Sequence, residues 1–193
     1  MKIAILLTTI SFLLAAANIQ AGPNFVFILA DDMGYGDVSH AGGKISTPNL
    51  DKIRAQGMRF TDAHTTSSVC TPTRYGILTG RYNWRSRLKK SVLFPPDLSI
   101  MDPARKTIAG FLKDRGYRTC VVGKWHLGLN WHMLPKPAKA ATGPTKGTCW
   151  NIDFSKPPQQ GPLKLGFTED FLFPASLDMA PYLYLRNDRV TAI

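Results

Sequence analysis

The chain is short of acid: 13 Asp and Glu stand against 24 Lys and Arg, a formal net charge of +11. The imbalance is local. Between Arg81 and Lys146 there are 14 basic residues and only Asp97, Asp102 and Asp114, so ten of each sign remain elsewhere. A basic half of this kind suits an anionic partner by long-range attraction, and it equally describes a solvated basic face. Nucleic acid is disfavoured as that partner, because neither zinc-ligand spacing nor interleaved aromatic and basic residues stand out. Cysteine is also scarce, with 3 in the chain, an odd number. Long apolar runs are missing except at the start. There Lys2 precedes Ile3 to Ala17, apolar but for two Thr and a Ser, and small residues follow. That pattern reads as a secretory signal over residues 1–21, cleaved after Ala17 or Ala21. No other stretch approaches the roughly 18 apolar residues of a membrane span. The mature chain is therefore expected to be exported, periplasmic or secreted, and not membrane-held after cleavage, which argues further against nucleic acid. Internal repeats are absent.

What is present alternates between strand-like and helix-like segments. Asn24 to Ala30 is a continuous apolar run after its first residue, the pattern of a central strand covered on both faces. It ends in the loop Asp31-Asp32-Met33-Gly34-Tyr35-Gly36-Asp37. Thr47-Pro48 starts a short helix with Leu50 and Ile53 on one face and Gly57 past its end. Met58 to Ala63 alternates as a strand, and Pro72 suits the first turn of a helix over Thr71 to Thr79. A further helix, Thr107 to Arg115, closes at Gly116 and leads into the strand Tyr117 to Val122. Residues 134–165 shift to Pro, Gly, Lys and Thr and read as a loop-rich surface insertion. Phe171 to Phe173 and Tyr182 to Leu185 read as late strands. The alternation implies an α/β fold, a mostly parallel sheet with helices on both faces. A strand so near Ile193 leaves an open sheet edge, so residues 22–193 are expected to be the front part of a longer domain.

Ligands of an open parallel sheet collect beyond the C-terminal ends of its strands, and three segments are expected there. The first is the Asp31-Asp32 pair. The second is Cys70-Thr71-Pro72-Thr73-Arg74-Tyr75-Gly76-Ile77-Leu78-Thr79-Gly80-Arg81, which starts a helix. The third is Gly123-Lys124-Trp125-His126-Leu127-Gly128. Taken singly they have plain readings: an acidic turn, a buried Cys before a helical Pro, a Lys and a His beside a packed Trp. In this order, over about Pro23 to Val190, they resemble the sulfatase family.

The resemblance implies an alkaline-phosphatase-like fold and hydrolysis of aryl or carbohydrate sulfate esters. It implies that a formylglycine-generating enzyme oxidises Cys70 to formylglycine. One hydroxyl of the hydrated aldehyde attacks sulfur, and the other later expels sulfate. Asp31 and Asp32, with modified Cys70, would hold Ca²⁺ or Mg²⁺, both takers of hard oxygen donors. Arg74, one helical turn on, would hold the formylglycine side chain. Lys124 would meet a sulfate oxygen and His126 the formylglycine hydroxyl. Asp178 is expected to border the substrate pocket. His40, His64 and His132 match no family motif and read as structural. With Cys70 converted, Cys120 and Cys149 are left, either as a disulfide or with Cys120 as a buried thiol in its strand.

Two other readings stand beside this one: a phosphonate or phosphodiester hydrolase of the same superfamily, and a non-catalytic, anion-binding truncated homologue. Family members carry further parts later in sequence, including an Asp-Asn pair at the metal, a sulfate-binding Lys and a His that protonates the leaving alcohol. No Asp-Asn dipeptide and no His follow His132 here. The chain alone is therefore expected to bind Ca²⁺ weakly and to turn over aryl sulfates poorly or not at all.

Overall fold

The structure, a computed structural model, describes residues 22–95, 97–135 and 151–192. The expected signal segment and Cys149 lie outside the described residues. The chain divides into two compact units, Met1–Met58 and Arg59–Ile193.

In the first unit, Pro48 at the first helical position starts α1 (Pro48–Gln56), as expected for a residue with φ preset and no N–H to satisfy. The helix is tied to the turn Ser39–Ala41 by polar contacts. The Ser39 hydroxyl donates to Asp51 Oδ2 at 2.6 Å, and His40 Nδ1 lies 3.0 Å from Asp51 Oδ1. Two expectations fail in this unit. Residues 24–30 form no strand, and Phe25, Val26, Phe27 and Ile28 are exposed. A strand needs a ladder of paired backbone, and this run enters none of the described ladders. Likewise Leu50 and Ile53, the apolar face of α1, are exposed, and no residue of the helix is buried.

The second unit holds α2 (Cys70–Thr79), α3 (Ile108–Lys113) and four strands, β1 (Cys120–Lys124), β2 (Glu169–Phe173), β3 (Tyr184–Arg186) and β4 (Arg189–Ala192). They form one sheet in the order β1-β2-β3-β4. The α/β class stands. Among the described strands, β1 and β2 are parallel, with Lys124 opposite Phe173, while β2–β3 and β3–β4 are antiparallel. The alternation at 58–63 produces no strand, and Met58 and Phe60 are exposed. Nor is Cys120 a buried thiol. It is a free cysteine, exposed on β1, which has a described neighbour on one side only.

The core of this unit is built from Trp125, Leu127, Leu129, Leu172 and Leu185, with Tyr75 of α2 and Phe167 packed in. Trp125 meets Phe167 edge-on at 6.2 Å, an arrangement aromatic quadrupoles favour. The segment 134–165 is more than surface. Residues 136–150 lie outside the described residues, but Ile152, Pro162 and Leu165 are buried, and a bridge joins Met133 to Ile152. Gly and Pro predicted loop; packing turned the end of that loop into core.

A turn of Arg186-Asn187-Asp188-Arg189 links β3 to β4, with φ of 50° at Asn187 and 62° at Asp188. Two left-handed residues in succession suit the tight hairpin twist, and Asn and Asp tolerate them. The Asp188 backbone N–H points at the buried Asp170 carboxylate, 3.3 Å from Oδ2. Burial, then the charge of Asp170, pushes the Asp188 carboxyl up to about 6 from its ordinary 3.8, against the pull of Lys164 and Arg189. A folded value above the unfolded one means that folding takes up a proton between them. The favourable contribution is complete below pH 3.8 and gone above about 6. Asp188→Asn is therefore expected to stabilise the fold at pH 7 by about 1–2 kcal/mol, a figure discounted for partial solvent exposure, and to do nothing below pH 4. Thermal melts at pH 4 and pH 7 check this; equal effects at both would show that charge is not the cause.

Candidate active site

α2 begins at Cys70 and ends where Gly80, with φ 65°, caps it by donating its N–H to Gly76 O at 2.8 Å. The first turn is set by what lies behind it. Thr71 and Pro72 are fully buried, and the Thr73 hydroxyl donates to Ser67 O at 2.7 Å. Gly76 is needed for close approach: a Cβ there would lie 2.2 Å from Thr66 Oγ1. Cys70 is left half-buried at the helix N-terminus, a position that favours negative charge.

β1 delivers the second part of the site. Its ladder with β2 continues past the strand, as Trp125 N–H donates to Phe173 O at 2.8 Å and His126 N–H to Pro174 O at 3.1 Å. Lys124 and His126 thus leave the sheet beside the segment that carries Asp178. Helix and strand end are bolted together by two bonds. The Thr71 hydroxyl donates to His126 O at 2.9 Å, and the Arg74 guanidinium donates to Lys124 O. Thr71 Oγ1 also accepts from Leu93 N–H at 3.2 Å. Thr71→Val keeps the shape and removes both bonds. Two buried partners then go unsatisfied, and a loss of about 1–3 kcal/mol is expected; urea unfolding checks it, and an unchanged midpoint would mean that the bridge holds nothing.

His126 sits in a left-handed conformation, φ 52°, and is buried. Its Nε2–H donates to Leu93 O at 2.9 Å, which fixes the tautomer and leaves Nδ1 as the bare acceptor. That Nδ1 is buried without a hydrogen-bond partner. Burial lowers the pKa of the ring; the Leu93 bond works against this, while the charges of Lys124 and Arg74 deepen the shift. The imidazole is therefore neutral near pH 7, a base and not an imidazolium. Asp178 is exposed, and its carboxyl is held below the usual range chiefly by the Ser176 hydroxyl, then by its own backbone N–H, with help from the charge of Lys124. A cleft lined by Leu93, Gly128, Trp131 and Pro174 adjoins His126, with room of about 20 Å³, enough for a single water.

So the second unit brings Arg74, Lys124, His126 and Asp178 into one electrostatic neighbourhood around the helix that starts at Cys70. Asp31 and Asp32 belong to the first unit, exposed in the bend that follows the apolar run. Among the described residues no three of His, Cys, Asp and Glu gather as a group that could hold a metal. The histidines without a motif are engaged elsewhere: His40 with Asp51, His64 with Asp62 at 2.6 Å, His132 near Gln159. Sequence reasoning missed Thr71 and Leu93. Thr71 lay inside the motif without any signal of its role, and Leu93 acts only through its backbone.

The second unit is thus an α/β unit in which the helix that starts at Cys70 is tied, through Thr71 and Arg74, to the backbone of His126 and Lys124. The Sulfatase family model matches residues 23–164, and the chain belongs to the sulfatase family. It is 39% identical over 173 residues to an N-acetylgalactosamine-6-O-sulfatase of Bacteroides thetaiotaomicron, covering 89% of this chain and 30% of that protein. It is 44% identical over 118 residues to human arylsulfatase A, covering 61% of this chain and 23% of that one. A solved structure concerned with metabolism of multiple glycosaminoglycans by Bacteroides thetaiotaomicron superposes with a TM-score of 0.71 at 38% identity, over 88% of this chain and 32% of that one. Another, of Ps i-CgsB in complex with k-i-k-neocarrahexaose, gives 0.55 at 28% identity, over 76% and 27%. The chain thus spans about a third or less of the length of these relatives.

Proposed function

We propose that the protein hydrolyses the sulfate ester of a carbohydrate or aryl alcohol, with Cys70 converted to formylglycine and a Ca²⁺ or Mg²⁺ ion at Asp31 and Asp32. The observation that carries the reading is the cationic end of β1, Lys124 and the neutral His126, tied to the helix turn of Cys70 and Arg74. Relatives named as sulfatases support the same reaction.

Once hydrated, a formylglycine at position 70 would supply an oxygen nucleophile for sulfur and a second hydroxyl through which sulfate is released. The protein groups divide the remaining work. Lys124 and Arg74 add positive charge where the helix N–H groups already favour an anion. His126, its Nε2–H spent on Leu93 O, offers Nδ1 to a hydroxyl on residue 70 and takes its proton. Asp178, at the rim, accepts hydrogen bonds from substrate hydroxyls. Asp31 and Asp32 have the donor chemistry for a hard cation but not the number, since Ca²⁺ takes about six to eight oxygens. The steps assigned to this chain therefore rest on its own side chains.

Residues 1–21 support export as part of the same proposal, and N-terminal sequencing of the exported protein would show a start at residue 18 or 22. The function itself is tested by peptide mass spectrometry across Cys70, from a host that contains a formylglycine-generating enzyme. An aldehyde trapped by hydrazide is expected; an intact thiol overturns the reading. Paired aryl sulfate and aryl phosphate substrates separate the reaction classes.

A further inference from the structure

The helix that begins at Cys70 ends in a second feature, which the reaction does not use. Beyond Gly80, Tyr82 and Trp84 stack on one another, with ring centroids 5.4 Å apart and planes 12° from parallel. Both are exposed, at 50% and 56%. The residue between them is buried and holds the turn in place. Asn83 Nδ2 donates to Leu88 O at 2.9 Å, while Ser86 donates to Asn83 O through its N–H at 2.8 Å and its hydroxyl at 2.6 Å. A pinned turn with a buried centre throws its two neighbours outward together. The stack is therefore a rigid apolar platform on the surface and no part of the core.

The platform is set among cations. No Asp or Glu occurs from residue 63 to 96, whereas Arg81, Arg85, Arg87, Lys89 and Lys90 fall within ten residues. Lys89 Nζ donates to the Trp84 carbonyl at 2.7 Å, which ties an ammonium to the turn that carries the rings. Arg85 is exposed next to it, and neither forms an ion pair among the described residues. Aromatic and basic residues do interleave here, a pattern the sequence reading had passed over.

We infer that Tyr82 and Trp84, with Arg85 and Lys89, form a second binding surface for a sulfated polysaccharide, apart from the reacting sulfate. The inference rests on the proposed sulfatase function. The C–H face of a sugar ring packs on an aromatic face through dispersion, and a stiff two-angle side chain does so at little entropic cost. Sulfates along the same polymer meet the flanking charges. The ten residues of α2 separate this surface from Cys70 by about 15 Å along the helix axis. It therefore anchors the polymer and leaves the scissile unit to the other end.

The test uses the full chain carrying Cys70→Ala, which cannot turn substrate over, and measures binding to chondroitin sulfate, to desulfated chondroitin and to a single-stranded oligonucleotide. The sulfated polymer is expected to bind, more weakly as salt rises, and the other two at least about tenfold less well. Adding Tyr82→Ala and Trp84→Ala should weaken the sulfated polymer at least about tenfold, with circular dichroism and melting unchanged. Arg85→Gln with Lys89→Gln should flatten the salt dependence without touching the rings. Equal binding of the oligonucleotide, equal binding of desulfated polymer, or indifference to both variant pairs would overturn the inference. Formylglycine at Cys70 is read separately, by peptide mass spectrometry on protein with Cys70 intact. Modification without polymer binding removes this surface alone, and polymer binding without modification removes the catalytic reading alone.

Discussion

On the proposed function, Cys70→Ala is expected to bring sulfate release from an activated aryl sulfate down to the uncatalysed background, however slow the chain alone is. A methyl group cannot become an oxygen nucleophile, and no neighbour replaces it. Arg74 and Lys124 remain to attract the anion, and His126 remains a base, but the proton it would accept is gone. The fold should not suffer. Cys70 is half-buried, and alanine is the best helix former, so the melting temperature should hold or rise slightly. That combination separates a lost nucleophile from a lost structure. Released sulfate measured beside a melt decides it: catalysis by the variant above the uncatalysed background would remove Cys70 from the reaction. Arg74→Ala should lower both the extent of modification and turnover, since it takes away the cation one turn from residue 70 and the bond to Lys124 O.

Gly128→Ala should unfold the site rather than silence its chemistry. Gly128 has φ 74°, where a side chain costs about 1–2 kcal/mol. Its Cβ would also lie 2.7 Å from Leu98 O and 2.8 Å from Ser99 Cα, backbone atoms that cannot swing aside. Overpacking of that kind costs about a further 1–3 kcal/mol. Together these approach the whole stability of a marginal domain, about 5–15 kcal/mol. Gly123 supplies the control. It has φ 99° but nothing within 4 Å of an added Cβ, so Gly123→Ala should show the conformational part alone. Denaturant unfolding of the two variants checks the difference. If Gly128→Ala is no worse than Gly123→Ala, the contact with Leu98 does not matter. The loop also anchors the core through Trp125 Nε1–H, which donates to Gly128 O at 3.0 Å, so the damage should spread.

The motifs were legible because chemistry constrains residue types at short spacing. Cys70 before Pro72 and Arg74 announced a helix start, and α2 begins at Cys70. Lys124 and His126 were expected beyond a strand, and β1 ends at Lys124. Boundaries slid where periodicity was weak: the strand expected at 117–122 forms at Cys120–Lys124, and the late strand at 182–185 forms at Tyr184–Arg186. The apolar runs misled more seriously. Phe25 to Leu29 has the composition of a central strand, yet composition states only what a segment can bury and not whether a partner backbone is at hand. The stacked pair Tyr82 and Trp84 escaped notice for a related reason. Aromatic residues are usually read as core, and only the burial of Asn83 between them shows that they face outward.

By itself the sequence determined the family and the α/β class and put forward Cys70, Arg74, Lys124 and His126 as candidates, because each depends on residue type at a spacing of a few positions. The tertiary structure alone decided what those residues are held by. The tautomer of His126 hangs on a carbonyl 33 positions away, at Leu93, and the join between α2 and β1 hangs on Thr71 and Arg74 reaching across 50 positions or more. It also decided that the end of a Pro- and Gly-rich loop joins the core at Ile152 and Leu165. Bonds to backbone carbonyls leave no mark on residue type at the accepting position, so no pattern in the chain can announce them. They exist only once folding has brought the two segments within hydrogen-bonding distance.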